Sequence, residues 1–388
     1  MDYSRAADWS FPVPIRYGPG RLSEIAAVCA RGGAVNPLIV TDRASRNLPF
    51  ITSLREYLQA GGVENGLFTD VSPNPTDREI AAGQGAFRDG RHDGVIAIGG
   101  GSGMDAGKAI CLIGYGQGDV WDFDFDAPPA ALTPDDFPLL VCIPTTAGTG
   151  AETESTAMVT HTTRGIKGCV WHPALKPYEV ILDPELTFGL PPNLTAWTGI
   201  DALVHAIEAY CVPALHPMCD GIALEALGTV FHHLPEAINT PNATQARGAV
   251  LAGSCLVGVA FLKGLGLVHA ISHMVGAEYD THHGLTNAII LPVVLRYNRK
   301  AIADKIAPMC HAMGLKGDGF DDLLRALNTL LDQCDIPKSL SDLGVKREDA
   351  GRIAQKAFGD VAASTNPAPA SVAQITALIE EAIDAARA

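Results

Sequence analysis

Two pairs of side chains in the second half of the chain have the types and the spacing that bind divalent metals. Asp201 and His205 lie four residues apart, and so do His269 and His273. On a helix, residues four apart share a face, so the members of each pair would point in one direction. His282 and His283 follow soon after the second pair. A carboxylate with several imidazoles suits Fe²⁺ or Zn²⁺, and no cysteine is placed to compete.

Histidines are concentrated in this part of the sequence. Eight of the twelve lie between residues 205 and 283. A histidine taken alone is more often a packing or surface residue than a ligand, and we assign that ordinary role to His216, His232 and His233. The two helical pairs and the additional histidine together predict a metal site in one helical domain.

A glycine-rich segment in the first half has the pattern of a phosphate-binding turn. Residues 99–103, Gly-Gly-Gly-Ser-Gly, lie between a predicted strand and a predicted helix. Glycines there allow a tight turn and bring backbone N–H groups close to a phosphate. The segment through Ala106 matches a loose dinucleotide pattern, but it is not a P-loop, because alanine follows Lys108 where serine or threonine is required. A plain structural turn is the alternative.

Two further segments could line the same nucleotide site. Asp42 ends a predicted strand, where a carboxylate can accept hydrogen bonds from ribose hydroxyls and repel a 2′-phosphate. It precedes the glycines, whereas the usual order places the acidic residue after them, and a turn-forming or helix-capping aspartate is the alternative. Residues 145–149, Thr-Thr-Ala-Gly-Thr, form a second predicted turn after a strand, either lining a cofactor cleft or serving as a plain loop.

The elements that must position these residues differ between the two halves. In the first half, strands are predicted at residues 37–42, 66–71, 94–98 and 139–143, and helices at 52–60, 77–88 and from Met104. This alternation predicts a parallel sheet wound with helices.

The second half is rich in alanine and leucine and predicts helices alone. They are expected at residues 196–210, 218–231, 244–259, 268–278, 321–334 and 371–386. Pro191 and Pro192 interrupt the pattern and predict a boundary. We therefore expect an α/β dinucleotide-binding domain over residues 1–190 and an all-helical metal-binding, catalytic domain over residues 191–388.

Composition excludes several other classes of function. Hydrophobic residues make up 47% of the chain, and the net charge of −15 without a Lys/Arg run argues against nucleic acid or an anionic membrane as a partner. Nine cysteines occur singly, which predicts reduced, mostly buried thiols and a cytoplasmic protein, and no signal-peptide run opens the sequence. The apolar stretch 253–271 contains Lys263 and is predicted to be a buried helical region rather than a membrane span.

Taken together, these motifs resemble those of the iron-containing, or group III, alcohol dehydrogenases. The resemblance covers roughly residues 11–385, and its signature segments are residues 99–108, 144–152, 183–187 and 269–292. The last is the most specific, since it runs from His269 through Gly-Ala-Glu-Tyr-Asp-Thr-His-His-Gly to Asn-Ala-Ile-Ile-Leu-Pro.

The resemblance implies a role for individual residues. The matching metal ligands are Asp201, His205, His269 and His283, and His273 matches a catalytic histidine beside the metal. The positions matching dinucleotide contacts are Asp42, Asn74, Gly100, Gly101, Ser102, Thr145, Thr146, Thr149 and Lys167. The implied fold is a Rossmann-like α/β domain followed by an all-α domain, as in the dehydroquinate-synthase-like superfamily, with the active site in the cleft between them and a homodimer or larger homo-oligomer as the assembly.

The implied chemistry is hydride transfer between NAD(H) and a small alcohol or aldehyde. Fe²⁺ or Zn²⁺ would polarise the alcohol oxygen, and His273 would relay its proton. Only three Lys or Arg residues occur between residues 201 and 298, which favours a neutral substrate.

Three other functions compete with this one. A metal-independent enzyme like maleylacetate reductase is disfavoured by the complete ligand set. A lyase related to dehydroquinate synthase would call for more basic residues. A metal-buffering or purely structural helical protein would leave the two glycine-rich loops without a role.

Overall fold

The first half of the chain forms a seven-stranded sheet. The computed structural model describes residues 7–9, 12–116 and 118–384. The strands within these residues are β1 (Ala7–Trp9), β2 (Ile15–Tyr17), β3 (Pro37–Val40), β4 (Gly66–Phe68), β5 (Gly94–Gly99), β6 (Leu139–Pro144), β7 (Thr156–His161), β8 (Ile166–Trp171) and β9 (Glu179–Leu182). The order in the sheet is β1-β2-β9-β6-β5-β3-β4, in which β1 is antiparallel to β2 and the other neighbours are parallel. Strands β7 and β8 form a separate antiparallel hairpin.

Helices alternate with the strands in the first half and make up most of the second. Those of the first half are α1 (Ile25–Gly32), α2 (Pro49–Ala60), α3 (Asp77–Asp89) and α4 (Gly101–Ile113). Those of the second half are α5 (Pro192–Cys211), α6 (Pro217–Asn239), α7 (Thr244–Ala260), α8 (Leu267–Tyr279), α9 (His283–Asn298), α10 (Ala303–Ala312), α11 (Phe320–Gln333), α12 (Ala350–Phe358), α13 (Val361–Ser364) and α14 (Val372–Asp384). The predicted fold class, a parallel α/β sheet followed by an all-helical region, is confirmed.

The central strands are buried along almost their whole length because both of their faces are covered. Every residue of β3, β5 and β9 is buried, which is the pattern of parallel strands between two helix layers. On one face, Ile96 and Ile98 share a hydrophobic core with Ile25 of α1 and Leu54 of α2. On the other, α4 packs closely on β5, since a Cβ atom at Gly107 would lie 2.4 Å from the Cβ atom of Ala97.

The observed elements depart from the predicted ones at two informative places. Helix α4 begins at Gly101, three residues before the predicted start at Met104, so part of the glycine-rich segment forms the first turn of the helix. The β7–β8 hairpin was not predicted, because most of its residues are only partly buried and lack the continuous apolar run that marks the central strands.

The helical half is organised around α5. All of its residues from Ile200 to Cys211 are buried, and it packs against α6, α7 and α9. The segment Thr244–Lys263 is long and apolar enough to cross a membrane by composition, but 78% of its most apolar window is buried inside the protein. Its apolar character is that of a core helix. Eight of the nine cysteines are also buried, as predicted.

Internal packing divides the chain into two compact units. The first comprises Met1–Thr146 and Ala151–Gly189, and the second comprises Ala147–Gly150 and Leu190–Ala388. Glycines seat the short segment within the second unit: a Cβ atom at Gly148 would lie 2.6 Å from the Thr198 carbonyl oxygen, and one at Gly150 would lie 2.5 Å from the Gly258 nitrogen. Close packing of this kind is one reason for glycines in the Pro-Thr-Thr-Ala-Gly-Thr-Gly segment.

Candidate metal centre and nucleotide-binding loops

Helix α5 presents Asp201 and His205 on one face, as their spacing predicts. Both side chains are buried, and the His205 Nδ1 atom lies 3.8 Å from the Asp201 Oδ1 atom. Helix α8 brings His269 to the same point: its Nε2 atom lies 3.0 Å from the His205 Nε2 atom and 3.9 Å from Asp201 Oδ1. Each of the three residues has a possible donor atom within 4.8 Å of those of the other two.

His283, the first residue of α9, completes the group. Its Nε2 atom lies 3.6 Å from Asp201 Oδ1. Helix α9 approaches α5 closely because residue 284 is glycine, and a Cβ atom there would lie 2.3 Å from the Trp197 carbonyl oxygen. A side chain at Gly284 would therefore push His283 away from Asp201. The fold thus brings all four predicted ligands together.

The spacing of the donor atoms suits one divalent ion. Four ligands bound tetrahedrally at about 2.1 Å are about 3.4 Å apart. The donor–donor distances between His205 and His269, His269 and Asp201, and His283 and Asp201 are 3.0, 3.9 and 3.6 Å. Burial, aided by neighbouring His205, holds the pKa of His269 well below its usual range, so this imidazole is neutral, which is the form that binds metals. The residues therefore fit Fe²⁺ or Zn²⁺.

Two polar residues that the sequence does not predict as part of the site contact the predicted ligands. Glu208 of α5 accepts a hydrogen bond from the His269 Nδ1 atom at 2.6 Å. Burial raises the pKa of Glu208 to about 7, although hydrogen bonds from three backbone N–H groups oppose the rise. The Asn287 Nδ2 atom lies 2.7 Å from Asp201 Oδ1 and 3.2 and 3.1 Å from the Nε2 atoms of His269 and His283. Both residues lie on the ligand-bearing helices, one at i+3 from His205 and the other at i+4 from His283.

His273 lies beside the predicted ligands and is hydrogen-bonded to Asp360. Its Nδ1 atom is 2.9 Å from Asp360 Oδ2, and its ring stacks on that of His283 with centroids 5.3 Å apart. Burial alone would raise the pKa of Asp360, but His273 and the hydrogen bond to it hold that pKa below its usual value. Asp360 was missed because 87 residues separate it from His273, and no local pattern connects them.

The three histidines assigned an ordinary packing or surface role lie on α6 or at its start. The Nδ1 atom of His216 accepts a hydrogen bond from the Cys219 N–H group and caps the start of α6. The Nδ1 atom of His233 lies 2.8 Å from the carbonyl oxygen of Thr229 in the same helix. His232 is exposed on α6.

In the first unit, the glycine-rich segment joins the carboxyl end of β5 to the start of α4. Gly99 has φ of +145°, which glycine adopts readily, and Gly100 forms the N-cap of the helix. The Thr145 N–H group donates to the Gly99 carbonyl at 2.9 Å, and a Cβ atom at Gly100 would lie 3.2 Å from the Thr146 side chain. The Ser102 hydroxyl donates to the Pro73 carbonyl at 2.6 Å, next to Asn74. Most of the predicted dinucleotide contacts are therefore neighbours.

Asp42 shapes a turn beside the same glycines. Its Oδ1 atom accepts hydrogen bonds from the N–H groups of Ala44 and Ser45 at 2.9 and 3.0 Å, and its Oδ2 atom accepts one from the Ser45 hydroxyl at 2.7 Å. A Cβ atom at Gly99 would lie 3.3 Å from Asp42 Oδ2, so the carboxylate is close to the glycine-rich segment. The turn-forming role considered for Asp42 is thus present, and it leaves the carboxylate next to the expected nucleotide site.

The two remaining predicted contacts lie elsewhere in the two units. Thr149 belongs to the short segment of the second unit. Lys167 is on β8, and its charge acts on Asp105 of α4. Burial raises the pKa of Asp105 to about 6, and the positive charges of Lys108 and Lys167 oppose that rise.

Lys108 contacts other parts of the protein interior, which distinguishes it from the lysine of a P-loop. The side chain is fully buried, and its Nζ atom donates to the Ala151 carbonyl at 2.8 Å and contacts Glu154 Oε1 at 3.2 Å. This lysine ties α4 to the segment that follows residue 150. A P-loop lysine would instead reach a bound phosphate.

Two family descriptions match nearly the whole chain. Residues 12–184 match the iron-containing alcohol dehydrogenase family, and residues 195–383 match the C-terminal region of the Fe-containing alcohol dehydrogenase family. The chain therefore belongs to the iron-containing alcohol dehydrogenase family, and the predicted class of enzyme is confirmed.

Individual relatives are similar over almost their full length. The chain is 33% identical to the NAD-dependent methanol dehydrogenase of Bacillus methanolicus, over 94% of this chain and 97% of that protein. It is 34% identical to the 1,3-propanediol dehydrogenase of Klebsiella pneumoniae, over 98% of this chain and 100% of that protein. Among solved structures, a 1,3-propanediol oxidoreductase superposes with a TM-score of 0.90 at 34% identity, over 94% of this chain and 97% of that one.

Proposed function

We propose that this enzyme interconverts a small, neutral alcohol and its aldehyde or ketone, using NAD(H) and one divalent metal per chain. The observation that carries the proposal is the convergence of Asp201, His205, His269 and His283 from three helices. When bound there, Fe²⁺ or Zn²⁺ supplies a Lewis acid that lowers the pKa of an alcohol hydroxyl. The residues of the chain must then orient the substrate and move its proton.

His273 is the group proposed to move that proton. Its Nδ1 atom is hydrogen-bonded to Asp360, which leaves the Nε2 atom as the exchangeable position of the ring. The carboxylate fixes the orientation of the imidazole and stabilises it while it carries a proton. A side chain 11% exposed can pass the proton on toward solvent.

The first unit is proposed to bind the dinucleotide. The start of α4 offers the backbone N–H groups of a first helical turn, with Gly100 as its N-cap, and such groups bind phosphates. In the proposed arrangement Gly101 and Ser102 contact the pyrophosphate, and Asp42 binds the adenosine ribose. Asn74, Thr145, Thr146, Thr149 and Lys167 are proposed as further contacts. The name of the Bacillus methanolicus relative supports NAD as the cofactor.

A neutral substrate is proposed because the ion pairs and hydrogen bonds of the three basic residues between positions 201 and 298 are made with residues other than the predicted ligands. Lys263 pairs with Asp220, and Arg296 pairs with Glu381. Arg247 donates a hydrogen bond to the Thr195 hydroxyl at 2.9 Å. None of these three basic side chains has a metal-ligand residue among its hydrogen-bond partners in the described part of the chain, so a carboxylate or phosphate on the substrate would lack a cation from this group.

An activity panel tests the proposal directly. The metal-loaded protein is mixed with NAD⁺ and a series of primary alcohols, diols and hydroxy acids, and NADH formation is followed by absorbance. We expect turnover with neutral alcohols and its loss after exhaustive chelation. Turnover that survives chelation would indicate a metal-independent reductase, and NAD-dependent elimination without net NADH formation would indicate a lyase. The cytoplasmic location and the homodimeric or larger assembly are also proposals, and sedimentation velocity tests the assembly.

Asp42 is expected to select NAD(H) over NADP(H), because its charge would lie beside the 2′-phosphate. Replacing Asp42 with glycine should lower the ratio of kcat/KM for NADH to kcat/KM for NADPH at least about fivefold, since a like charge a few ångströms away is worth on the order of 1–4 kcal/mol. The preference for NADH would then narrow or reverse. Arg43 does not offset this charge freely, because it lies 3.0 Å from Glu79 and 3.5 Å from Asp70.

The control separates charge from turn geometry. Asp42→Asn keeps an oxygen for the N–H groups of Ala44 and Ser45 but removes the charge. We expect it to relax the preference as Asp42→Gly does. Equal use of NADH and NADPH by the unmodified enzyme would contradict the assignment.

A further inference from the structure

Glu208 is a buried carboxylate that the proposed reaction leaves without a function. It lies on α5, and its side chain is 6% exposed. Its hydrogen-bond donors are the backbone N–H groups of Gly266 at 3.1 Å, Val268 at 2.8 Å and His269 at 3.4 Å, and the Nδ1 atom of His269 at 2.6 Å. A backbone N–H group can only donate, so the two carboxylate oxygens act as acceptors in these contacts.

The first three contacts replace a missing helix cap. The first N–H groups of a helix have no partner within it, and the N-cap of α8 is Gly266, which has no side chain to supply one. Glu208, which lies on α5, supplies the missing acceptor for α8. Asn366 accepts a hydrogen bond from the Leu267 N–H group at 3.1 Å. Residue 266 must be small, because a Cβ atom there would lie 2.6 Å from Glu208 Oε1.

The fourth contact determines where His269 carries its proton. A neutral imidazole has one N–H group and one lone pair, and an acceptor beside one nitrogen draws the proton to it. With Glu208 beside Nδ1, the lone pair is on Nε2. That is the atom 3.0 Å from the His205 Nε2 atom and 3.9 Å from Asp201 Oδ1.

We propose that Glu208 is a positioning residue of the metal centre, which fixes the metal-binding tautomer of His269 and anchors the start of α8 against α5. The inference rests on the proposed function in that it requires a cation at the four ligands. Carboxylates that accept from ligand histidines raise the basicity of the imidazole, and their loss typically weakens metal binding by roughly 10- to 100-fold.

Glu208→Gln is the substitution that tests this role. The amide has nearly the shape of the carboxylate, but its NH₂ group is a donor. Turned toward His269, it would make Nδ1 an acceptor and place the proton on Nε2, which blocks the ligand atom. Turned the other way, the NH₂ group would face the Val268 N–H group, which is also a donor. We expect metal-depleted Glu208→Gln protein to bind Zn²⁺ and Co²⁺ roughly 10- to 100-fold more weakly than the unmodified protein, measured by competition with a chromophoric chelator.

Asn366→Ala is the matched control. It removes the acceptor of the Leu267 N–H group from the same helix turn without touching His269. We expect a lower melting temperature and unchanged Zn²⁺ affinity. The proposal is wrong if Glu208→Gln binds Zn²⁺ as the unmodified protein does, or if both variants lose affinity equally, because the effect would then be one of helix stability alone.

A measurement on the unmodified protein covers the case in which Glu208→Gln does not fold. In metal-depleted protein with ¹⁵N-labelled histidine, the His269 signals are identified by their absence from a His269→Gln sample. A proton on Nδ1 is expected, and a proton on Nε2 would overturn the proposal. If the unmodified protein binds neither Zn²⁺, Co²⁺ nor Fe²⁺, the proposed function itself fails.

Discussion

His269→Ala is expected to empty the metal site and to abolish measurable turnover. His269 is one of the four proposed ligands, and its Nε2 atom lies 3.0 Å from His205 Nε2 and 3.9 Å from Asp201 Oδ1. Without it, the site retains a carboxylate and two imidazoles, and the Glu208 carboxylate loses its imidazole donor. A metal acting as Lewis acid supplies several kcal/mol of transition-state stabilisation, and each 1.4 kcal/mol is about tenfold in rate. The fall in kcat should therefore be on the order of 10³-fold or more.

The measurement pairs elemental analysis of the purified variant with initial rates of alcohol oxidation. We expect about one divalent ion per chain in the unmodified enzyme and a marked deficit in His269→Ala. His232→Ala is a suitable control, because this histidine is exposed on α6 of the same unit. It should keep both metal and turnover. A His269→Ala enzyme that is fully active after chelation would refute the assignment of the metal site.

His273→Ala is expected to keep its metal and to lose most of its turnover. The imidazole is beside His283 but its Nδ1 atom is bonded to Asp360, so it is placed to carry a proton rather than to bind the ion. Loss of one proton-transfer group typically lowers the rate by about 10²–10⁴-fold. Raising the pH should restore part of the rate, because hydroxide and water can then remove the substrate proton.

The test for His273 combines metal content with a pH–rate profile. Asp360→Asn is the companion variant: it keeps the volume of the side chain, weakens the orientation of the imidazole, and should cause a smaller loss of kcat than His273→Ala. Unchanged turnover in His273→Ala would remove the relay from the mechanism. Loss of metal from that variant would instead indicate that His273 holds His283 in place, since the two rings stack.

The fold was largely predictable because its central elements are covered on both sides. The run from Gly94 to Gly99 is apolar and short, and helix α5 is alanine- and leucine-rich and buried from Ile200 to Cys211, so each has a recognisable sequence pattern. Helix α9 was not predicted. Its start at His283 carries no capping side chain, and Pro292 interrupts a sequence that is apolar on every side. Neither periodicity nor a stop signal marks such a helix.

The candidate site was predictable where its chemistry is local. The spacing of Asp201 and His205 alone indicates a shared helix face, and the resemblance singled out His283 as the fourth predicted ligand. The supporting carboxylates were not visible: Glu208 and Asp360 act on His269 and His273 across 61 and 87 residues. Their roles depend on the packing of α5, α8 and α13, which a one-dimensional pattern does not contain.

The cap shared by Glu208 and Asn366 affects how readily the start of α8 opens to solvent. Amide hydrogens in the first turn of a helix usually exchange quickly with deuterium, because they face water. Here the amides of Gly266, Leu267 and Val268 are covered by side chains from distant parts of the chain. Their exchange requires α5 and the segment around residue 366 to move apart from α8, so fraying of one turn does not expose them. Mass-spectrometric exchange of a peptide spanning this turn should accordingly be slow, and it should follow the opening of the helical unit as a whole.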